Sequence, residues 1–357
     1  MTPRGPIKPE RKQVTITDVA RLAGVSKTTV SRYINGKYEM IVPETRERIR
    51  GAIEQLRFRP SALAQSLKAP KSRMVGVVLS DISTPFSASL VRGIGDVMEQ
   101  ENYLPVFVNC DDSLQKEQEF IENLMDRQVD GLIVNTTTYQ NPFLVELAQK
   151  GVPIVLCDRY VEGYDFDIAA HEHRTPMNNL VGHLAREGFA RVGLFVQPYE
   201  HNSPRFLRRR SFMEAAARYY GVKNPEEWVY VIDIRDEQGT VRQLQRLLER
   251  CPAGQVPAVI GANTVTTLHV LGAIHGLHLR IPQDIGVCGA DDFSWPTQMN
   301  WPDLSKPGIT TFVVQSYQLG VMVAQMLLQR LSDPQLPCQT RFVPCDMVVR
   351  GSTQLGV

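Results

Sequence analysis

The stretch from Val25 to Gly36, VSKTTVSRYING, sets basic and hydroxyl side chains at helical spacing. With 3.6 residues per turn, Val30 and Ile34 stack on one side and Lys27, Thr28, Ser31 and Arg32 share the other. Lys and Arg suit the O6/N7 edge of guanine, a Thr methyl can meet thymine, and hydroxyls and amides orient a module on phosphates without reading sequence. A second set of polar residues stands just beyond apolar runs later in the chain. Phe86 closes SDISTPF, Asn135 and Thr136 end another run, CDRY brings Asp158 and Arg159, Asn263 follows VIGA, and GADDFSW carries Asp291 and Trp295. Polar groups around an aromatic platform suit a sugar-like ligand, whose hydroxyls need donors and acceptors and whose ring faces stack.

The elements that must position these groups follow from length, composition and pattern. At 357 residues and 43% hydrophobic content the chain is globular and too long for one ordinary core. The net charge of +1 hides a split: residues 1–73 hold 16 Lys plus Arg against 6 Asp plus Glu, leaving 23 against 32 for the remainder. A basic N-terminal piece, net +10, on an acidic body, net −9, points to a polyanionic partner for that piece alone, a solvated basic face without a partner being the lesser alternative on charge alone. Within it, TITDVARLAG offers Thr17 as an N-cap, Val19, Ala20 and Ala23 as a packing face, and Gly24 as a left-handed stop. Ser26 caps a second helix to Ile34, and IVPETRERIRGAIEQL starts a third with Pro43 in its first turn and Ile49, Ile53 and Leu56 inward. The first two helices have helix-turn-helix order, in which the second enters the major groove.

VTITDVARLAGVSKTTVSRYING resembles the N-terminal signature of the lactose-repressor (LacI/GalR) family of bacterial regulators, and the likeness runs over nearly the whole chain. The resemblance implies that Lys27, Thr28 and Arg32 read bases, while Thr15, Ser26, Thr29, Ser31 and Asn35 hold the DNA backbone or support the fold. It places a hinge helix in RFRPSALAQSLKAPKSR, with Leu67 as the minor-groove wedge and Ala64 small enough for close approach; the segment by itself reads as a plain linker helix, since nothing in it alone points to the minor groove. The domain expectation is a flexible basic tail over 1–13, a DNA-binding domain over 14–59, a hinge over 60–73 and an effector and dimerisation domain over 74–357.

From Met74 onward, runs such as MVGVVLSD, VDGLIVNT, RVGLFVQP and PAVIGAN alternate with amphipathic stretches such as QEFIENLMDRQ and SYQLGVMVAQMLLQRL. This pattern predicts parallel sheets covered on both faces, one in each of two subdomains. The resemblance makes the fold class an all-α helix-turn-helix headpiece plus an α/β two-lobed effector domain of the periplasmic-binding-protein type I kind. Strands near Gly308–Gln315 and Phe342–Val349 complete lobes drawn as 74–171 with 308–334 and 172–307 with 335–357. Ligands in such sheets lie beyond the carboxyl ends of the strands. Matching the family motifs makes Arg208 in RFLRRRSF the effector-clamping arginine, Asn263 the pocket asparagine and Asp291 the hydroxyl-binding aspartate. Two positions depart from the pattern: Thr264 replaces the usual aspartate, and Ser211 the usual glycine. A guanidinium pairs bidentately with a carboxylate, and SKTTVSRYINGKYE with DDFSW resembles the family branch that responds to ketogluconate-type sugar acids, so a sugar acid is the expected effector.

Rival chemistries lack their motifs. GIGDVM lies inside a helical stretch without a third glycine, and neither a phosphate-binding loop, a G-x-S-x-G elbow nor H-E-x-x-H is present. The six cysteines form no C-x-x-C pair, and most read as buried free thiols. His269, His275 and His278 read as helical core or surface, and Met322 with Met326 as a packing face. No cofactor or metal is expected. With no apolar run of membrane length and no signal-like start, the expected location is the cytoplasm. The expected activity is that of a DNA-binding regulator, a repressor acting as a homodimer on a pseudo-palindromic operator under control of a sugar or sugar-acid effector. The alternative is a cytoplasmic sugar-binding or sugar-modifying protein with a vestigial DNA-binding module.

Overall fold

The computed structural model describes residues 14–34, 36–58, 71–290 and 301–356. The chain divides into two compact units, Met1–Ser72 and Arg73–Val357.

In the first unit, α1 (Ile16–Ala23), α2 (Lys27–Ile34) and α3 (Pro43–Leu56) enclose a core of Val19, Ala20, Ala23, Val30, Ile49, Ala52 and Phe58. The cap of α1 corrects the sequence reading. Thr15, not Thr17, is the N-cap, because Asp18 stands three residues on and its carboxylate accepts from both the Thr15 N–H (2.9 Å) and the Thr15 hydroxyl (2.7 Å). Gly24 ends α1 at φ 64° as expected, and a Cβ there would lie 2.7 Å from Arg48 Nη2. That Arg48 nitrogen donates to the carbonyls of Ala23 (2.5 Å) and Gly24 (3.1 Å), fastening α3 to the turn that aims α2.

Among its described residues the second unit holds two six-stranded sheets. The first has the order β11-β5-β4-β3-β1-β2, all parallel, from β1 (Met74–Leu79), β2 (Leu104–Asn109), β3 (Gly131–Val134), β4 (Ile154–Cys157), β5 (Asp167–His171) and β11 (Thr340–Val343). The second has the order β12-β10-β9-β8-β6-β7, from β6 (Arg191–Val196), β7 (Val229–Val231), β8 (Pro257–Gly261), β9 (Gly286–Ala290), β10 (Thr310–Phe312) and β12 (Met347–Val348), with only β12 antiparallel. The central strands are apolar throughout because helices cover both faces.

The lobe assignment of the C-terminal strands changes accordingly. Thr310–Phe312 pairs with β9 in the second sheet rather than the first, and the run Phe342–Val349 is not one strand. Its beginning pairs with β5 in the first sheet and its end with β10 in the second, the chain crossing at 344–346. The helix α4 (Pro85–Gln100) packs on the long C-terminal helix, residues Ser316–Ser332, at a glycine pair: a Cβ on Gly93 would lie 2.2 Å from the Tyr317 carbonyl, and one on Gly320 2.3 Å from the Leu90 carbonyl. GIGDVM is thus a helix-packing motif. Met326 is buried at the same core and Met322 packs on it. Between these two helices, among the described residues, come α5 (Leu114–Asp126), α6 (Pro142–Gln149), α7 (Arg174–Arg186), α8 (Ser203–Tyr220), α9 (Glu237–Glu249), α10 (Thr264–Gly276) and the short helix Trp301–Leu304. All six cysteines are free, and burial pushes the Cys110 thiol up to about 12.

Candidate nucleic-acid interface and effector cleft

The polar face of α2 is open. Lys27, Thr28 and Arg32 are exposed, whereas Val30 is fully buried and Ile34 packs against the core. The opposition of faces follows from the helical period alone. Ser26 Oγ accepts from the Thr29 N–H (3.1 Å) and lies 2.9 Å from the Thr29 hydroxyl, so these two hydroxyls stiffen the helix start. Ser31 is half-buried beside them. Thr15 holds Asp18, as described. Asn35, Ala64, Leu67, Asp291 and Trp295 lie outside the described residues.

In the second unit a cleft of about 510 Å³ opens where the strands of both sheets end. Phe86, Asn135, Asp158, Arg159, Arg208 and Asn263 all line it. Their backbone positions explain the convergence: Asn135 follows β3, Asp158 and Arg159 follow β4, Asn263 caps α10 just after β8, and Phe86 and Arg208 stand near the starts of α4 and α8. Phe86 packs against the cores of both lobes.

Most of these side chains are already engaged. Asn135 Oδ1 accepts from the Ser80 hydroxyl (2.6 Å), and its Nδ2 donates to the Cys157 carbonyl (2.8 Å). Arg159 Nη1 donates to the Thr136 carbonyl (2.9 Å) and to Asp112 (3.1 Å). Behind Thr136 the buried Glu117 accepts from the Thr136 hydroxyl (3.0 Å), the Thr137 N–H (2.5 Å) and Asn141 Nδ2 (2.6 Å), pinning the loop that carries Arg159's acceptor. Asn263 caps α10 through the Thr266 N–H (2.8 Å) and donates to Gln197 Oε1 (2.8 Å). Arg208, 5% exposed, donates to the Ala262 carbonyl (2.7 Å) and lies over the Phe312 ring at 5.7 Å. Its neighbours in the basic run point elsewhere: Arg209 pairs with Glu226 over Tyr199, and Arg210 is exposed near Glu214.

Asp158 sits at φ 61°, a left-handed conformation that costs a non-glycine residue of order 1 kcal/mol or more. Its Oδ1 is 2.9 Å from Nδ1 of the fully buried His171. Burial raises the Asp158 pKa, but the hydrogen bond and charge of His171 outweigh it and hold the carboxyl well below the usual range. His173, two residues on, is buried with no hydrogen bond to either ring nitrogen among the described residues, and burial with the nearby Arg208 lowers its pKa to about 3, leaving it neutral.

The cleft also contains groups that the sequence reading left unnamed, chiefly Arg205, Asp81, Asp112 and Gln197. Gln197 follows β6 and obeys the strand-end rule; Arg205 lies one helical turn before Arg208 on the same face. Three helix N-termini, capped by Thr84, Asn202 and Asn263, also border the cleft.

A helix-turn-helix with an open basic face, carried in one chain with a two-lobed receptor for a small ligand, defines an effector-responsive DNA-binding regulator. The family models agree: "Bacterial regulatory proteins, lacI family" matches residues 15–61, and "Periplasmic binding protein-like domain" matches residues 181–353. The HTH-type transcriptional regulator KdgR of Bacillus subtilis (strain 168) is 35% identical over 95% of this chain and 97% of its own. PtxS of Pseudomonas plecoglossicida, also named an HTH-type transcriptional regulator, is 32% identical over 97% of each chain. The structure of the lac repressor dimer bound to operator and the anti-inducer ONPF has a TM-score of 0.79 at 25% identity, covering 96% of this chain and 99% of that one. The chain belongs to the lacI family of bacterial regulatory proteins, and it is a DNA-binding transcriptional regulator; its relatives are named as regulators rather than enzymes. Among the described residues, no helix is long and apolar enough to cross a membrane and no group of residues could hold a metal ion.

Proposed function

We propose that this regulator is a cytoplasmic repressor that binds a pseudo-palindromic operator as a homodimer and is controlled by a sugar acid held in the interlobe cleft. In this reading Lys27, Thr28 and Arg32 contact base edges, while Thr15, Ser26, Thr29 and Ser31 set the module on the phosphates. Phe86, Asn135, Asp158, Arg159, Arg208 and Asn263 contact or orient the effector. Residues 60–73 serve as the hinge. A single helix-turn-helix buries modest area, so two on symmetric half-sites supply the affinity of a specific site.

The observation that carries the effector class is a set of cleft arginines whose acidic neighbours are already hydrogen-bonded within the protein. Arg159, Arg205, Arg208 and Arg235 line the cleft beside three helix N-termini, each a partial positive charge. Among the described residues, the four carboxylates that line it are engaged, Asp112 by Arg159, Asp158 by His171, Asp81 by the Ser83 N–H (2.8 Å) and Asp233 by the Arg235 N–H (2.9 Å). A ligand with one carboxylate and several hydroxyls matches cations surrounded by amides and hydroxyls. Calorimetry on the full chain with D-gluconate and D-glucose tests this. The acid is expected to bind at least 10-fold more tightly; equal binding contradicts the sugar-acid assignment.

A further inference from the structure

Taking the cleft as the effector site, we infer that Arg205, rather than the family-matched Arg208, is the specificity-determining residue that separates a carboxylate-bearing effector from its neutral counterpart. The two guanidinium groups have different surroundings. Arg208 is buried, bonded to the Ala262 carbonyl and laid over Phe312, so it belongs to the wall of the second lobe. Arg159 is held by the Thr136 carbonyl and Asp112.

Arg205 is half-buried in the first turn of α8, donates through Nη1 to the Pro198 carbonyl (3.0 Å), and forms no ion pair among the described residues. The charges that bear on it come from both sides of the cleft: Arg159, Asp112 and Asp81 from the first lobe, and Arg208 from its own helix. Burial and the two neighbouring arginines push its pKa down to about 10, with the two aspartates opposing them only in part. A half-enclosed cation facing two others is relieved by an anion placed between them, whereas a neutral hydroxyl leaves that repulsion in place. The fork of Arg205 therefore reads charge, and the engaged side chains around it read hydroxyl positions.

The test compares the full-length wild type with Arg205→Gln and Arg205→Lys, titrating D-gluconate and D-glucose by calorimetry with melting temperature as the check on folding. Arg205→Gln is expected to lower gluconate affinity about 10- to 100-fold while glucose affinity moves less than about 3-fold, and Arg205→Lys to restore part of the acid preference. If Arg205→Gln keeps the wild-type preference for the acid, this inference fails and the sugar-acid reading stands. Equal loss of acid and neutral ligand in both variants assigns Arg205 a structural role and likewise overturns it. If the wild type binds glucose as tightly as gluconate, or binds neither, the sugar-acid reading fails and the inference with it.

Discussion

The headpiece and the receptor handle their functional side chains in opposite ways. On α2 the proposed reading groups Lys27, Thr28 and Arg32 are exposed, while the core that holds them is a separate set of residues, Val19, Ala20, Val30 and Ile49 among them. In the cleft the candidate contacts are structural members of the lobes: Asn135 bridges two strand ends, Asn263 caps a helix, and Arg208 is buried against Phe312. A headpiece that must face a long polymer can leave its readers loose, because the polymer supplies the order. A pocket for a small molecule has to be ordered beforehand, since the ligand brings few contacts with which to order it. Stability and recognition are therefore separable in the headpiece and entangled in the receptor.

Substitution at Arg208 challenges that contrast most severely. Arg208→Ala removes a buried, hydrogen-bonded charge, and is expected to weaken effector binding by about 100-fold and to lower the receptor's melting temperature by several degrees, read by calorimetry and thermal denaturation. A loss of affinity with no loss of stability would show that the cleft, too, separates the two. Arg32→Ala is the counterpart. It should reduce discrimination between operator and unrelated duplex by about 10-fold or more, a bidentate base contact being worth roughly 1–3 kcal/mol, with the melting temperature unchanged. A uniform loss across sequences would reassign Arg32 to phosphate.

Acid provides a third separation, because every histidine lies beyond residue 170. His173 has its pKa lowered by burial from 6.5 to about 3, so the unfolded chain binds more protons than the folded one between those values. The stability it contributes is present above pH 6.5 and is lost as the pH falls toward 3. The receptor is expected to melt roughly 5 °C lower at pH 4.5 than at pH 7, and His173→Leu to flatten that slope. The headpiece should show no matching transition between pH 7 and pH 5. The smallest effect concerns the capping box: Asp18→Ala is expected to cost the headpiece about 1 kcal/mol and leave the receptor untouched, measured by denaturant unfolding.

The same contrast decides what could be read in advance. The headpiece was legible because its information is local. Period 3.6 separates Val30 from Arg32 within three residues, and Gly24 marks the turn; only the cap moved, from Thr17 to Thr15, since Asp18 reaches back three residues. Six cleft residues were legible through the rule of strand ends and the family motifs. Arg205 was not, because only the fold shows that Arg208 is occupied by Ala262 and Phe312 and that Arg159 of the other lobe faces this turn of α8. Asp167–His171 escaped notice as a strand because its apolar part is two alanines and an isoleucine between a charged residue and a histidine. Phe342–Val349 misled for a different reason: a hydrophobic pattern reports that a strand exists but not which sheet accepts it.

Operator binding by the full chain, followed by fluorescence anisotropy at two salt concentrations with and without D-gluconate, tests the central claim most directly. An effector-controlled DNA-binding regulator should bind duplex with an affinity that falls steeply with salt and shifts about 5- to 150-fold when the sugar acid is added. Affinity indifferent to salt would contradict DNA binding through the basic headpiece, and affinity indifferent to the acid would contradict its control from the cleft.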